Sequence, residues 1–252
     1  MRFNKWITCP EARPEARFRL FCLPFAGGGA SIYRNWSSSL GPDVEVCAIQ
    51  LPGRENRISD PAISALRPLS ETVAHQLALH TSKPYFFYGH SMGGLLAFEI
   101  LRCFQEQGYA LPLTAFIGAH RAPHLPQRRP SFTGMHDSEF IKNISAFGGF
   151  EPEILANREL LDFLLPTLRA DFEVCDGYQY ESSSPLECPL VAFSGINDPE
   201  VPPADMDPWS EHSAYALRHV SLSAGHFFLK THRDELLAHL VHFMSEHGVQ
   251  HV

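Results

Sequence analysis

Short apolar, β-branched or aromatic runs recur at Phe18–Leu23, Val44–Ile49, Tyr85–Tyr88, Leu113–Ile117 and Leu190–Phe193 and around Arg218–Leu222, and they constrain this chain more than any other feature. They are continuous rather than alternating, the pattern of strands covered on both faces. Between them stand segments with helical spacing of apolar residues: Leu69, Val73 and Leu77; Leu95 through Phe104; and Leu236 through Met244. Strand alternating with helix requires crossover connections, so the chain reads as an α/β fold with a mostly parallel twisted sheet flanked by helices. With 252 residues, 44% of them hydrophobic, there is enough apolar surface for one sizeable core, and no internal repeat or linker divides the chain.

The alternation breaks over residues 123–189, where no convincing strand occurs. Two helical patterns fill the gap. One runs Asp137–Phe147 and closes at Gly148–Gly149; the other runs Arg158–Tyr178, and Pro166 is expected to bend or end it because its ring removes an N–H. A helical insertion between two strands of such a sheet commonly lies over the carboxyl ends of the strands, where ligands bind, so 123–189 reads as a lid. The plainer alternative is a helical layer that only packs on the sheet.

Charge narrows the possible partners. Lys and Arg total 20 against 28 Asp and Glu, a net −8 that repels nucleic acid and anionic membranes, so neither is expected as a partner. No apolar run approaches bilayer length, and the polar N-terminal stretch does not resemble a secretory signal. The six cysteines show no C-x-x-C and no paired spacing; they read as small buried hydrophobes in a reducing, cytoplasmic setting.

Gly89-His90-Ser91-Met92-Gly93 is a G-x-S-x-G sequence lying between the run Tyr85–Tyr88 and the helix pattern that starts at Met92. In that context it forms a nucleophile elbow: a strained turn lifts the Ser91 hydroxyl to the sheet's edge, and glycines flank it because side chains there would collide with strand and helix. Serine is a weak nucleophile near neutral pH and needs a base held by an acid. In the α/β-hydrolase order Ser…Asp/Glu…His the base comes last. His226, in the small-residue loop Ser223-Ala224-Gly225-His226, is the candidate among 14 histidines. His232, His239, His242 and His247 fall on the terminal helix pattern, and His90 is aimed away from the hydroxyl. Asp198, where Leu190–Phe193 empties into a loop, is the candidate acid over Glu200, Asp205 and Asp207. A tetrahedral intermediate needs two backbone donors, assigned to Met92 and, in the glycine-rich loop Pro24-Phe25-Ala26-Gly27-Gly28-Gly29, to Ala26. That loop lacks the G-x-G-x-x-G spacing and the Lys-Ser/Thr ending of nucleotide sites. No H-E-x-x-H occurs and His239/His242 have no evident third ligand, so no metal is expected.

At the level of longer motifs the chain resembles the type II thioesterases that accompany polyketide synthases and nonribosomal peptide synthetases, with the medium-chain fatty acyl thioesterases as relatives. The resemblance rests on Arg19–Gly28, Gln50-Leu51-Pro52-Gly53-Arg54-Glu55-Asn56-Arg57, Gly89–Gly94, Leu165-Pro166-Thr167-Leu168-Arg169-Ala170-Asp171 and Gly225–Phe228. The L-P-G-R-E and L-R-A-D blocks are the discriminating ones. The resemblance implies an α/β-hydrolase fold and a serine thioesterase that docks an acyl or peptidyl carrier protein and clears acyl groups from its phosphopantetheine arm, with Ser91, Asp198 and His226 as triad, Ala26 and Met92 as oxyanion hole, and no cofactor. It leaves open a medium-chain acyl thioesterase or carboxylesterase and, from another class, a non-catalytic binding protein on the same fold. Apolar residues of the insertion (Phe132, Met135, Phe140, Ile144, Phe147, Phe150, Leu155, Leu160) line either an acyl channel or the inner faces of packed helices. Docking of an acidic carrier protein is expected to rely on apolar contact or on a local basic cluster such as Arg128–Arg129.

Overall fold

A computed structural model describes residues 4–149 and 152–249. Seven strands form one sheet: β1 (Ile7–Thr8), β2 (Phe18–Leu23), β3 (Val44–Ile49), β4 (Tyr85–His90), β5 (Thr114–Gly118), β6 (Leu190–Gly195) and β7 (Arg218–Leu222), in the spatial order β1-β3-β2-β4-β5-β6-β7. Every neighbouring pair is parallel except β1 with β3. This is the mostly parallel, helix-flanked sheet expected from the alternation of strand and helix, and the α/β-hydrolase architecture that the resemblance implies. The chain leaves β2 toward one edge to make β3, then crosses back over β2 to make β4. The strand order therefore reverses between β2 and β4, and their carboxyl-end loops part there to leave a crevice.

Side chains of β4 show why the apolar runs are continuous. Tyr85 and Phe87 enter a core beneath α1 (Leu66–Ala78) and α2 (Met92–Gln107), while Phe86 and Tyr88 enter a second core on the other face. The second core also takes Leu236, Leu240 and Phe243 of the C-terminal helix Arg233–Ser245. α2 ends where Gly108 adopts the left-handed conformation (φ +69°), the usual stop for a helix.

Between β5 and β6 lie α3 (Asp137–Ser145), α4 (Pro152–Ala156) and α5 (Arg158–Asp176), and no strand occurs there among the described residues. Their apolar faces form a small core of their own around Phe132, Phe140, Ile144, Leu165 and Leu168. Of the two outcomes expected from its missing N–H, a bend or an end, the second does not occur: α5 continues through Pro166. It sits on the exposed side of the helix, beside an exposed Asp162 whose carbonyl water can satisfy. β1, α4 and the short helix α6 (Phe228–Thr231), which precedes α7 (Arg233–Ser245), have too few residues to show a periodicity.

Of the six cysteines, Cys22, Cys47 and Cys188 are buried, whereas Cys9, Cys103 and Cys175 are half-buried. Spacing gave no hint that Cys9 and Cys47 meet, with sulfurs 3.5 Å apart, once β1 pairs with β3. No helix among the described residues is long and apolar enough to cross a membrane.

Candidate active site

Ser91 stands between β4 and α2 with φ +54° and ψ −120°, a conformation an L-residue adopts only under constraint. Close packing supplies the constraint. A Cβ on Gly89 would lie 2.1 Å from the Gly93 carbonyl oxygen, and one on Gly93 would lie 2.4 Å from that of Leu23. The Ser91 N–H donates to the Gly118 carbonyl at 2.8 Å, tying the turn to β5.

Across the crevice, β6 and β7 deliver two further loops. Ile196 donates to the Leu222 carbonyl (2.8 Å) and Asn197 to that of Ala224 (2.9 Å), so the loop after β6 lies against the loop after β7. Gly195 permits this approach, since a Cβ there would meet the Ala224 oxygen at 2.5 Å. Asp198 and His226, both buried, thereby face each other. His226 Nδ1 and Asp198 Oδ2 are 2.7 Å apart, and His226 Nε2 lies 3.0 Å from Ser91 Oγ.

Hydrogen-bond bookkeeping assigns the protons. Asp198 Oδ1 accepts from the Glu200 and Val201 N–H groups (2.8 and 3.1 Å), and Oδ2 faces the imidazole, an arrangement that suits an anion. His226 Nδ1 therefore carries the proton, and Nε2 is left to accept from the Ser91 hydroxyl. His90 is likewise resolved. Its Nε2 donates to the His226 carbonyl (2.8 Å), because a carbonyl only accepts, and its Nδ1 accepts from the Tyr88 hydroxyl (3.0 Å). Burial, followed by the nearby His226, holds the His90 imidazole well below the ordinary histidine range, so it stays neutral. His90 thus holds the loop that carries His226, a role that elbow position alone did not reveal.

The loop after β2 brings Ala26 to the same place. Gly28 N–H closes a turn on the Phe25 carbonyl (2.9 Å), and Gly27 N–H donates to Asp171 Oδ2 (2.7 Å). The Ala26 N–H has no acceptor among the described residues. Met92, as first residue of α2, likewise has a free N–H at the positive end of the helix dipole.

Ser91, His226, Ala26 and Met92 open onto a cavity of about 710 Å³. Its apolar wall is Ile144, Phe147, Ile154, Leu164, Leu168 and Phe172, and its more polar end is formed by residues 120–129 with Tyr178, Tyr180 and Glu200. Eight apolar insertion residues were singled out from sequence; of the seven that lie among the described residues, Ile144 and Phe147 reach it. Phe132, Phe140 and Met135 pack within the insertion, Leu155 is exposed and Leu160 half-buried, and Phe150 lies outside the described residues. Ile154, Leu164, Leu168 and Phe172 were missed. Apolar period marks their helices, but a helix's apolar face does not say whether it meets a wall or a space.

The competing groups are otherwise engaged. Asp205 takes a bidentate pair from Arg128 (both contacts 2.6 Å), and Asp207 pairs with His219 (2.8 Å). Arg129 pairs with Asp176 (2.8 Å) and lies over the Phe132 ring. Arg128 and Arg129, named from sequence as an example of a local basic cluster, thus each pair with an acid distant in the chain. Among the described residues, the single set of three potential metal ligands is Cys9, just after β1, with Glu45 and Cys47 of β3, away from this crevice.

Comparison with known proteins places this geometry in context. A family model described as a thioesterase domain matches residues 18–244. Linear gramicidin dehydrogenase LgrE of Brevibacillus parabrevis is 37% identical over 238 residues, covering 93% of this chain and 90% of its own length. Among solved structures, the RedJ thioesterase from the prodiginine biosynthetic pathway in Streptomyces coelicolor superposes with a TM-score of 0.86 at 36% identity, with 91% of each chain covered. The type II thioesterase BorB from the borrelidin biosynthetic cluster superposes with a TM-score of 0.87 at 30% identity, covering 96% of this chain and 98% of its own.

Proposed function

Because the chain belongs to the thioesterase family, we propose that it hydrolyses acyl thioesters held on the phosphopantetheine arm of an acyl or peptidyl carrier protein, an editing role in polyketide or nonribosomal peptide biosynthesis. The observation that carries this reading is the row Ser91 Oγ, His226 Nε2, His226 Nδ1 and Asp198 Oδ2, with contacts of 3.0 and 2.7 Å at the mouth of an apolar cavity. Ser91 attacks the thioester carbonyl while His226 Nε2 takes its proton, and Asp198 stabilises the resulting imidazolium. The Ala26 and Met92 N–H groups receive the oxyanion. Collapse breaks the carbon–sulfur bond, and the thiol departs with the proton from His226. A free thiol has a pKa of about 8.5, so this leaving group needs little acid assistance. Water, deprotonated by the same imidazole, then attacks the acyl-Ser91 ester and releases a carboxylic acid. No cofactor enters, since the substrate itself brings the phosphopantetheine.

Helices α3, α4 and α5 act in this reading as the lid, residues 123–189. Ile144, Phe147, Leu164, Leu168 and Phe172 cover the acyl group from above the sheet. The dehydrogenase named among the relatives suggests a different chemistry, but the loop after β2, Pro24-Phe25-Ala26-Gly27-Gly28-Gly29, does not have the spacing of a dinucleotide fingerprint.

Mass spectrometry of a panel of acylated carrier proteins tests the reading. Loss of acyl mass with the wild-type protein and not with Ser91→Ala is the expected result. Retention of every acyl group by active-site-intact protein overturns it, and faster cleavage of matched oxygen esters reassigns the protein as a carboxylesterase.

A further inference from the structure

Two blocks distinguish this sequence beyond its serine motif, Leu51-Pro52-Gly53-Arg54-Glu55 and Leu168-Arg169-Ala170-Asp171, and the mechanism above uses neither. They meet in space. Arg54 Nη1 and Nη2 grip Asp171 Oδ2 and Oδ1 in a two-pronged pair, both at 2.7 Å, across 117 residues of chain. The pair is buried, with Asp171 1% and Arg54 6% exposed.

A pair that only docked α5 onto the sheet would have no reason to address the neighbouring loop, because buried charges are expensive and apolar contact does that work as well. Each member of this pair instead reaches one of two adjacent residues of that loop. Asp171 Oδ2 accepts the Gly27 N–H at 2.7 Å, and Arg54 Nη1 donates to the Gly28 carbonyl at 3.0 Å. Gly27 is the third residue of the turn closed by Gly28 N–H on the Phe25 carbonyl, and its φ of +79° is what a type II turn needs at that position. Of the N–H groups of Ala26, Gly27 and Gly28, Asp171 takes one and the Phe25 carbonyl another; the Ala26 N–H is left over. Leu168, one turn before Asp171, presses on the same loop, since a Cβ on Gly27 would lie 2.4 Å from its Cδ2.

We infer that Arg54 and Asp171 are a positioning pair: by fixing the Ala26–Gly27 peptide through the Gly27 N–H they hold the turn in which the preceding Phe25–Ala26 peptide, its carbonyl anchored by the Gly28 N–H, aims the Ala26 N–H at the oxyanion. The inference rests on the role given to Ala26 under Proposed function. Neither residue touches substrate. Their effect belongs to the transition state, when charge appears on the oxygen, and not to substrate binding.

The test uses Asp171→Asn, which places an amide N–H₂ against one prong of the guanidinium, and Arg54→Lys, which keeps the charge and loses the fork. Complete loss of an oxyanion donor costs about 10²–10³ in kcat, so a misaimed one is expected to cost roughly 10- to 100-fold, with KM changed less than about twofold. An alkylboronic acid, whose tetrahedral adduct with Ser91 carries the same oxyanion, is expected to lose affinity by the same factor. Binding of the intact acyl-pantetheine thioester, measured in the Ser91→Ala background, is expected to be unmoved. Thr167→Val, which removes the bond from α5 to the Gly53 carbonyl, is expected to leave kcat within about twofold.

Unchanged kcat and boronate affinity in folded variants overturn the inference. So does a parallel loss of ground-state binding, or failure of both variants to fold, either of which makes the pair a plain structural clamp. The thioesterase reading fails separately, if the wild type turns over no acyl thioester while still binding the boronate.

Discussion

Two buried arginine–carboxylate pairs sit at opposite ends of the same parallel sheet. Arg19 and Glu45, at the amino end, are direct cross-strand neighbours in β2 and β3, joined by one 3.1 Å contact. Each also bonds to backbone, Arg19 Nη1 donating to the His80 carbonyl (2.7 Å) and Glu45 Oε1 accepting from the Arg13 N–H (3.0 Å). Arg54 and Asp171, at the carboxyl end, come from a loop and an inserted helix. The first pair ties two neighbouring strands at the rim of the sheet away from the serine. The second joins three segments that have no ladder between them, beside the serine. The same chemistry therefore serves the register of strands at one end and the aim of a loop at the other, and the two should separate under mutation.

The largest effect belongs to the carboxyl end. Asp198→Asn leaves the geometry nearly intact but allows the wrong His226 tautomer, and kcat is expected to fall about 10⁴-fold in protein that still unfolds cooperatively. A loss under tenfold would remove Asp198 from the proposed triad. At the amino end, Arg19→Met strands a buried carboxylate and should cost about 3–5 kcal/mol of stability in urea unfolding, while kcat per folded molecule stays unchanged. If activity fell and stability did not, the contrast between the two ends would collapse. Asn157 caps α5 by accepting the Leu160 N–H at 3.1 Å, so Asn157→Ala should cost about 1 kcal/mol and leave kcat close to wild type, provided the pair, and not the helix as a whole, holds the loop.

The smallest effect is a pH dependence. Burial pushes His120 and His212 down to about 4 and holds His90 well below its usual range, so the unfolded chain binds protons that the folded one refuses. Their stabilising contribution is complete above the unfolded value of about 6.5 and is lost as pH falls toward 4, so the thermal midpoint should drop across that window. His120→Asn should make the drop shallower. His90 closes β4 and His120 follows β5, so two of these three histidines stand at the sheet's carboxyl end.

Much of this was legible in the residues. Continuous runs such as Val44–Ile49 announced two-sided burial, and Ser91, Asp198 and His226 were each named from their position at the end of a strand. What stayed hidden has common physical causes. Two-residue β1 and five-residue α4 are shorter than any period that could betray them. Arg54 and Asp171 were visible as members of motifs, yet their meeting depends on how α5 docks, which no local pattern records. Arg128 and Arg129 read as a basic patch because their partners, Asp205 and Asp176, lie 77 and 47 residues away. Pro166 was weighed by its lost N–H alone, and its exposure decided the outcome.

The tight seat of Gly89 and Gly93 has a consequence for how this chain can evolve. Replacing the Ser91 hydroxyl by hydrogen gives up its bond to His226 Nε2 but forces nothing to move, whereas a single methyl at either glycine drives into main chain at 2.1 or 2.4 Å. Catalysis is therefore cheaper to lose than the turn that presents it. A lineage that drifted away from hydrolysis would discard the serine early and keep the glycine frame for as long as it kept the fold, so in any descendant the frame testifies to ancestry and the hydroxyl alone to use.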